Sequence, residues 1–157
     1  MAQLGMHGWK ELQEQASELA EFGAERLKNK VAYLATVGED GRPRVHPVAV
    51  ILGEGHLFVF MERTSPKAHD LQKNGRFALH SAVADTSGSN GEFAASGSAS
   101  LVSDSQLRAT AARLSWYKPK ESFFLFSLVV ERAMGTTYSN ERPIRRRWKR
   151  ETTDPIR

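Results

Sequence analysis

Residues 31–51 read V-A-Y-L-A-T-V-G-E-D-G-R-P-R-V-H-P-V-A-V-I. The first seven are rich in β-branched and aromatic side chains and end at G-E-D-G (38–41), a strong hairpin turn. Residues 44–51 return as a second strand, which closes at G-E-G (53–55), and L-F-V-F-M (57–61) follows as a third. Three strands joined by two short turns predict an antiparallel meander.

Further strands are predicted along the rest of the chain, at 76–82, 92–101 and 123–133, with a last one around Trp148. Short helices are predicted between them, over 66–75 and from Ser103-Asp104 to about Leu114. Six or seven mostly antiparallel strands with a few helices predict a mainly β (α+β) fold, a six- to seven-stranded antiparallel β-barrel.

The N-terminal residues 1–30 are predicted to form an amphipathic helix of about five turns. Apolar side chains and a glycine recur there at intervals of three and four residues, and glutamates fill the other side. We therefore expect the apolar side of this helix to pack on the barrel, and the helix to have a structural role. The apolar stripe comprises Trp9, Leu12, Ala16, Leu19, Gly23 and Leu27.

Length and composition predict a single domain over residues 1–157. No apolar run approaches the ~20 residues that span a bilayer, and the N-terminus lacks the plan of a signal peptide. There are no cysteines, and the five histidines show no metal-ligand spacing, so no metal site is expected. We expect a cytoplasmic protein without a membrane partner.

The positive charge lies at one end of the chain. Residues 140–157 hold seven Lys/Arg and three Asp/Glu, which is the whole net charge of +4. A neutral body with a basic tail argues against a nucleic-acid-binding surface on the folded body. Three interpretations of the tail remain open: a solvated end, an arm that contacts nucleic acid, or a last strand whose arginines face an anionic cofactor.

The stretch F-M-E-R-T-S-P-K-A-H-D-L (60–71) begins a helix in an unusual way. Ser65 is a good N-cap and Pro66 is favoured at the first helical position, so a well-capped surface helix is one interpretation. The other is a phosphate site, because a helix start attracts anions, and Thr64, Ser65 and Lys67 add donors and charge beside it. Arg44, on the second strand, would stand near the same anion.

These residues resemble a known family. T-V-G-E-D-G-R-P-R-V-H-P-V, then L-F-V-F-M-E-R-T-S-P-K-A-H-D-L-Q-K-N-G-R-F-A-L, is similar to the pyridoxamine 5′-phosphate oxidase-like FMN-binding split barrels. The resemblance covers about residues 31–82 and continues more loosely through 92–133. It implies a split β-barrel that binds FMN and forms a homodimer with the cofactor at the interface. The apolar residues Phe123, Phe124 and Phe126 are expected to need cover from the partner.

The resemblance also implies site residues. Arg44 matches the arginine that contacts the FMN phosphate, and Lys67 matches the phosphate-binding lysine, with Thr64 and Ser65 beside it. The strand segment along the flavin ring, and the end of the third strand beside it, are matched by Val45, His46, Pro47, Phe60 and Met61. No residue is matched as a catalytic acid or base.

The function implied is an FMN-dependent oxidoreductase that acts on a small molecule. Pro66 replaces a basic residue, Glu92 replaces a glutamine, and the tail lacks the family's arginine-histidine pattern, which argues against pyridoxamine 5′-phosphate oxidase activity itself. Two alternatives stay open. One is a deazaflavin-dependent reductase, whose anionic cofactor tail would meet Arg145, Arg146 and Arg147; the other is a non-catalytic flavin- or haem-binding module.

Overall fold

Seven strands follow one another in the predicted order. The computed structural model describes residues 8–88 and 90–151. The strands are β1 Val31–Val37, β2 Pro43–Gly53, β3 His56–Met61, β4 Arg76–Ser81, β5 Glu92–Leu101, β6 Phe124–Ser139 and β7 Arg142–Lys149. The main difference from the prediction is β6, which continues six residues beyond 133 because its polar second half pairs with β7.

The sheet closes into a barrel. Its strand order is β3-β2-β1-β4-β5-β6-β7, and β3 also pairs with β6, so six strands form a closed antiparallel ring and β7 is added outside it. The long strand β6 makes this possible, because its first residues pair with β3 and its later residues pair with β7. The predicted split β-barrel of the α+β class is confirmed.

A β-bulge bends β6 where it passes from one partner to the other. The β5–β6 register shifts between Ser96 and Gly97, and Glu131 is the extra residue. A side chain at Gly97 would bring Cβ within 1.9 Å of the Val129 carbonyl oxygen, so only glycine allows this close approach.

Within the described residues four helices pack on the barrel: α1 Gly8–Gln15, α2 Ser17–Leu27, α3 Pro66–Lys73 and α4 Ser105–Leu114. The prediction of one continuous N-terminal helix over 1–30 is wrong, because Ala16 leaves the helical region (φ −145°, ψ 64°) and separates α1 from α2. Ala16 is a good helix former, and tertiary contacts on either side of the break hold the two helices against the barrel: Gln15 accepts from Trp148, and Glu18 accepts from Arg146. Residues 1–7 lie outside the described residues.

The core has two parts. The larger part fills the barrel and the space beneath α1 and α2, where Trp9 meets Phe93 edge-on at 5.8 Å between ring centroids. The smaller part lies outside the barrel under α4 and includes Phe60. Phe126 is buried, and Phe123 and Phe124 pack partly on these cores. The expectation of cover from a partner is therefore wrong for Phe126, whereas for the half-buried Phe123 and Phe124 it stays a prediction.

The described residues contain no helix that is long and apolar enough to cross a membrane. Within the same residues, no group of three histidine or acidic side chains is placed to hold a metal ion.

Candidate functional site

The start of α3 forms as its sequence predicts. Ser65 is the N-cap: its Oγ accepts a hydrogen bond from the amide of Ala68 at 3.3 Å and donates one to the Glu62 carbonyl at 2.7 Å. Pro66 follows at the first position. The Ser65 hydroxyl is thus used within the turn and does not point its proton outward, contrary to the expectation that it would serve an anion. Thr64 is exposed.

A polar cluster lies beside this helix at the mouth of the barrel. Arg44 on β2 pairs with the buried Asp70 of α3, with 3.2 Å between Nε and Oδ2. Thr36 on β1 donates to the same oxygen at 2.7 Å, and its Oγ1 lies 3.0 Å from Nε2 of His46. Since the Thr36 hydroxyl has one proton and gives it to Asp70, His46 donates through Nε2–H.

The charged residues of this cluster change the pKa of His46. Burial is the largest cause that lowers the pKa of His46 below 6.5, and Lys67 and Arg44 lower it further, while Asp70 opposes them. Lys67 is therefore close enough to act on the ring electrostatically. Thr36, Arg44, His46, Lys67 and Asp70 are called the mouth cluster below.

The mouth cluster keeps free bonding capacity. Arg44 uses Nε for Asp70 and is 46% exposed, so its two terminal nitrogens remain outside that bond. The Asp70 Oδ1 atom is buried and has no hydrogen-bond partner among the described residues. The α3 cap engages the amides of Ala68 and His69, which leaves the amide of Lys67 outside it. Cationic donors and one buried acceptor thus lie together.

The split of the barrel lies between β2 and β3. Their ladder runs from Gly53↔His56 to Val50↔Val59, and β2 continues beyond it paired only with β1 in the described chain. Val45 and Pro47 are exposed along this part of β2. Phe60 and Met61, at the end of β3, are buried in the core, so only their backbone groups remain to meet a ligand.

A groove of about 730 Å³ crosses the outer face of the sheet. Register places two rows of side chains across it, one from Val45 to Lys149 and one from Tyr33 to Arg147. Its floor is mostly apolar, with small side chains in the middle. The groove is lined by Tyr33, Ala35, Val45, Ala78, Leu79, His80, Ala94, Ala95, Ser96, Arg132, Ala133, Met134, Arg147, Trp148 and Lys149.

The basic tail forms β7, which agrees with the third interpretation as far as the strand is concerned. Alternate residues of a strand face opposite ways, so the three arginines do not act together. Arg146 pairs with Glu18 of α2 at 3.1 Å, whereas Arg147 lines the groove. The expectation that all three arginines meet one anionic tail is therefore wrong for Arg146, whereas Arg145 and Arg147 share a face and for them it stays a prediction. Residues 152–157 of the tail lie outside the described residues.

Two members of the mouth cluster were not predicted from the sequence. Thr36 is a buried hydroxyl in an otherwise apolar strand, and Asp70 is a buried acid on the apolar face of α3, three residues after Lys67. A charged residue on the apolar side of a short amphipathic helix is the signal that could have identified Asp70.

The chain matches the family model described as pyridoxamine 5′-phosphate oxidase over residues 16–134. This is well over half of its length, and the chain belongs to that family. A search of curated proteins found no match.

Solved structures share the fold. HutZ, the haem storage protein of Vibrio cholerae, is 25% identical with a TM-score of 0.56, covering 72% of this chain and 87% of that one. PhzG of Burkholderia lata 383, in complex with tetrahydrophenazine-1-carboxylic acid, is 19% identical with a TM-score of 0.64. The match covers 92% of this chain and 88% of PhzG. Rv2991, a conserved hypothetical protein of Mycobacterium tuberculosis, is 19% identical with a TM-score of 0.64. The match covers 76% of this chain and 82% of Rv2991.

Proposed function

We propose that this chain binds FMN at the mouth cluster and acts as a flavin-dependent oxidoreductase on a small molecule. The observation that carries the proposal is the ion pair of Arg44 with Asp70 of α3, three residues after Lys67, which holds Arg44 beside this helix where β2 has lost its pairing with β3. Family membership supports the same cofactor.

The donor set fits the phosphate of FMN. The terminal nitrogens of Arg44, the ammonium of Lys67 and the Lys67 amide suit a phosphate, because cationic donors at a helix start stabilise an anion. Asp70 is buried and is not itself a contact for the ligand. The open edge of β2 offers backbone groups to a ring. When bound, FMN supplies the hydride or electron transfer.

The protein residues bind and orient in this proposal. Arg44 and Lys67 hold the phosphate, and Asp70 holds Arg44 in place through its Oδ2 atom. His46, with its pKa lowered by burial, stays neutral near pH 7 and directs Nε2–H at Thr36. No described side chain is assigned as the catalytic acid or base.

We further propose a homodimer with the cofactor at the interface, as the family resemblance implies. The exposed apolar residues Val31, Tyr33 and Val45 lie on the outer sheet face and are candidates for the contact. Sedimentation should give a dimer at micromolar concentration, and a stable monomer would contradict this part of the proposal.

The decisive experiment compares two ligands. Lys67→Ala should weaken FMN binding by roughly 1.5–3 kcal/mol, the range for a charge-assisted hydrogen bond. Riboflavin has the same ring but no phosphate, so its affinity should hardly change. Lys73→Ala is the matched control, because Lys73 lies in the last turn of the same helix and is exposed.

A loss confined to FMN and to Lys67→Ala supports the proposal. Equal losses for both ligands indicate general disruption, and an unchanged FMN affinity removes Lys67 from the site. Titrations by flavin fluorescence quenching measure both ligands against the wild type and the two variants.

A haem-binding module is the second candidate. The 25% identity to a haem storage protein favours it, as does His80, which faces the groove. The Nδ1 atom of His80 lies 2.7 Å from the Ser81 carbonyl oxygen and must donate to it, so Nε2 of the neutral ring keeps its lone pair for a metal.

The absorption spectrum of the purified protein separates flavin, deazaflavin and haem. If haem binds through the groove, His80→Ala should abolish its band, while Lys67→Ala should not. A deazaflavin spectrum would favour the reductase alternative.

A further inference from the structure

The segment that follows α4 binds β2 at the point where the barrel splits. Ser115 ends the helix, and its Oγ accepts a hydrogen bond from the Tyr117 amide at 3.2 Å, which fixes a tight turn. Trp116 donates from Nε1 to the Val50 carbonyl at 3.0 Å. The Tyr117 hydroxyl donates to the Ala49 carbonyl at 3.3 Å. Two consecutive side chains therefore bind two consecutive carbonyl groups of β2.

The Tyr117 contact lies where the β2–β3 ladder ends. Val50↔Val59 is the last pair of that ladder, and the same register would next bring Ala49 opposite Phe60. Phe60 still pairs with β6, so β3 continues as a strand at this position. It is β2 that leaves its neighbour, and the Tyr117 hydroxyl is bonded to the first β2 carbonyl beyond the last pair.

The Tyr117 hydroxyl also contacts β3. Burial raises the pKa of Tyr117, and a hydrogen bond from the Phe60 backbone opposes this by stabilising the phenolate. The hydroxyl thus accepts from Phe60 and donates to Ala49, which are the two residues that the ladder would pair next. One direct hydrogen bond is replaced by two in series, which holds the two strands about 3 Å further apart than a ladder would.

Packing fixes the position of the hydroxyl. The Tyr117 ring packs on the smaller core under α4, together with Leu107 and Leu114 of that helix. The Trp116 ring meets it edge-on, with 5.6 Å between ring centroids. Because the ring is held by the helix, the turn and its neighbour, the hydroxyl is held rigidly between the two strands.

We propose that Tyr117 is a positioning residue, whose hydroxyl holds β2 and β3 apart and keeps the edge of β2 over residues 43–49 open to the ring of the flavin. The inference rests on the FMN proposal, which assigns this edge to the ring. Arg44 and Lys67 hold the phosphate in that proposal, whereas Tyr117 acts on the ring through the backbone of β2.

The binding test compares Tyr117→Phe with Trp116→Phe. The first variant removes the hydroxyl and keeps the ring, and the second removes a donor to the same strand and leaves the Tyr117 bridge in place. Tyr117→Phe should weaken FMN and riboflavin alike by about fivefold or more, because both ligands carry the ring. Trp116→Phe should change either affinity by less than about twofold. Lys67→Ala differs from both variants, since it should weaken FMN alone.

Two spectroscopic measurements separate positioning from a loss of stability. The visible circular dichroism of the bound flavin should change in Tyr117→Phe and not in Trp116→Phe, because only the first alters the strand edge beside the ring. In the ligand-free Tyr117→Phe protein, β2 and β3 should pair one step further. A nuclear Overhauser effect between the amide protons of Ala49 and Phe60 should then appear that the wild type lacks.

The proposal is overturned if that effect is already present in the wild type or absent from Tyr117→Phe. It is equally overturned if Tyr117→Phe leaves both flavin affinities unchanged, or if Trp116→Phe lowers them as much. A wild type that binds neither flavin contradicts the FMN proposal instead, and the ligand-free spectra then still decide whether Tyr117 holds the strands apart. Tyr117→Leu also lacks the hydroxyl and gives the same comparison if the phenylalanine variant does not fold.

Discussion

The mouth cluster and the exposed groove residues Arg132, Arg147 and Lys149, called the basic face here, both gather positive charge, but they hold it in different ways. At the mouth, Arg44 and Lys67 surround the buried carboxylate of Asp70, and Thr36 and His46 join the same hydrogen-bond chain. On the basic face, exposed cations oppose one another without an acidic partner in the described residues.

The two groups of charges should therefore respond differently to substitution. A buried carboxylate is tolerated only with its partners in place, so the mouth cluster couples ligand binding to the stability of the fold. Exposed cations cost the fold little and are screened by salt, so substitutions on the basic face should hardly change the free energy of unfolding. Three predictions test this contrast.

The largest expected effect is on stability at the mouth. Asp70→Ala should lower the free energy of unfolding by about 2–4 kcal/mol, because it leaves the buried Thr36 hydroxyl and the Arg44 guanidinium without their acceptor. Urea denaturation measures the change. Asp70→Asn, which keeps the shape and one acceptor oxygen, should cost less. Arg147→Ala should change the free energy of unfolding by no more than about 0.5 kcal/mol. A loss as large as that of Asp70→Ala would contradict the difference expected between the mouth cluster and the basic face.

The second prediction concerns pH. The folded protein holds the pKa of His46 below the 6.5 of the unfolded chain, mainly by burial, so the unfolded state binds a proton first as the pH falls. As the pH falls below about 6.5, protonation of His46 in the unfolded state therefore lowers the free energy of unfolding progressively. Above that pH, His46 is neutral in both states and does not change the free energy of unfolding. His46→Gln should flatten this part of the stability curve.

Proton NMR titration of the His46 ring provides the direct measurement. Asp70→Asn should lower the His46 pKa further, because the carboxylate is the group that raises it. A His46 pKa at or above 6.5 in the wild type would show that the ring is not held as described.

The smallest expected effect lies on the docked face of β7. Arg146→Gln breaks an exposed ion pair with Glu18 and should lower the free energy of unfolding by no more than about 0.5 kcal/mol. Trp148→Ala should cost more, since the indole packs on the main core and donates to Gln15 at 2.8 Å. Thermal denaturation compares the stability of the two variants. Equal losses of stability would contradict the prediction that the packed indole contributes more than the ion pair.

Short-range patterns predicted much of the fold. The turns G-E-D-G and G-E-G and the alternation of the strands placed β1 to β5 within two residues of the observed bounds, and Ser65-Pro66 marked the start of α3. Arg44, His46 and Lys67 were predicted together and lie together. The break at Ala16 was missed, because no residue there is a poor helix former and the cause lies in contacts with the distant β7.

Local patterns in the sequence were enough to predict the family, the order of strands and the capped helix start, because periodicity, turn residues and caps act over a few neighbouring positions. The three-dimensional contacts were needed to show that Thr36 and Asp70 complete the mouth cluster and that Arg146 and Arg147 face opposite ways, toward α2 and the groove. These contacts join residues as far apart as Glu18 and Arg146. They depend on strand register and barrel closure, which no local pattern of side chains specifies.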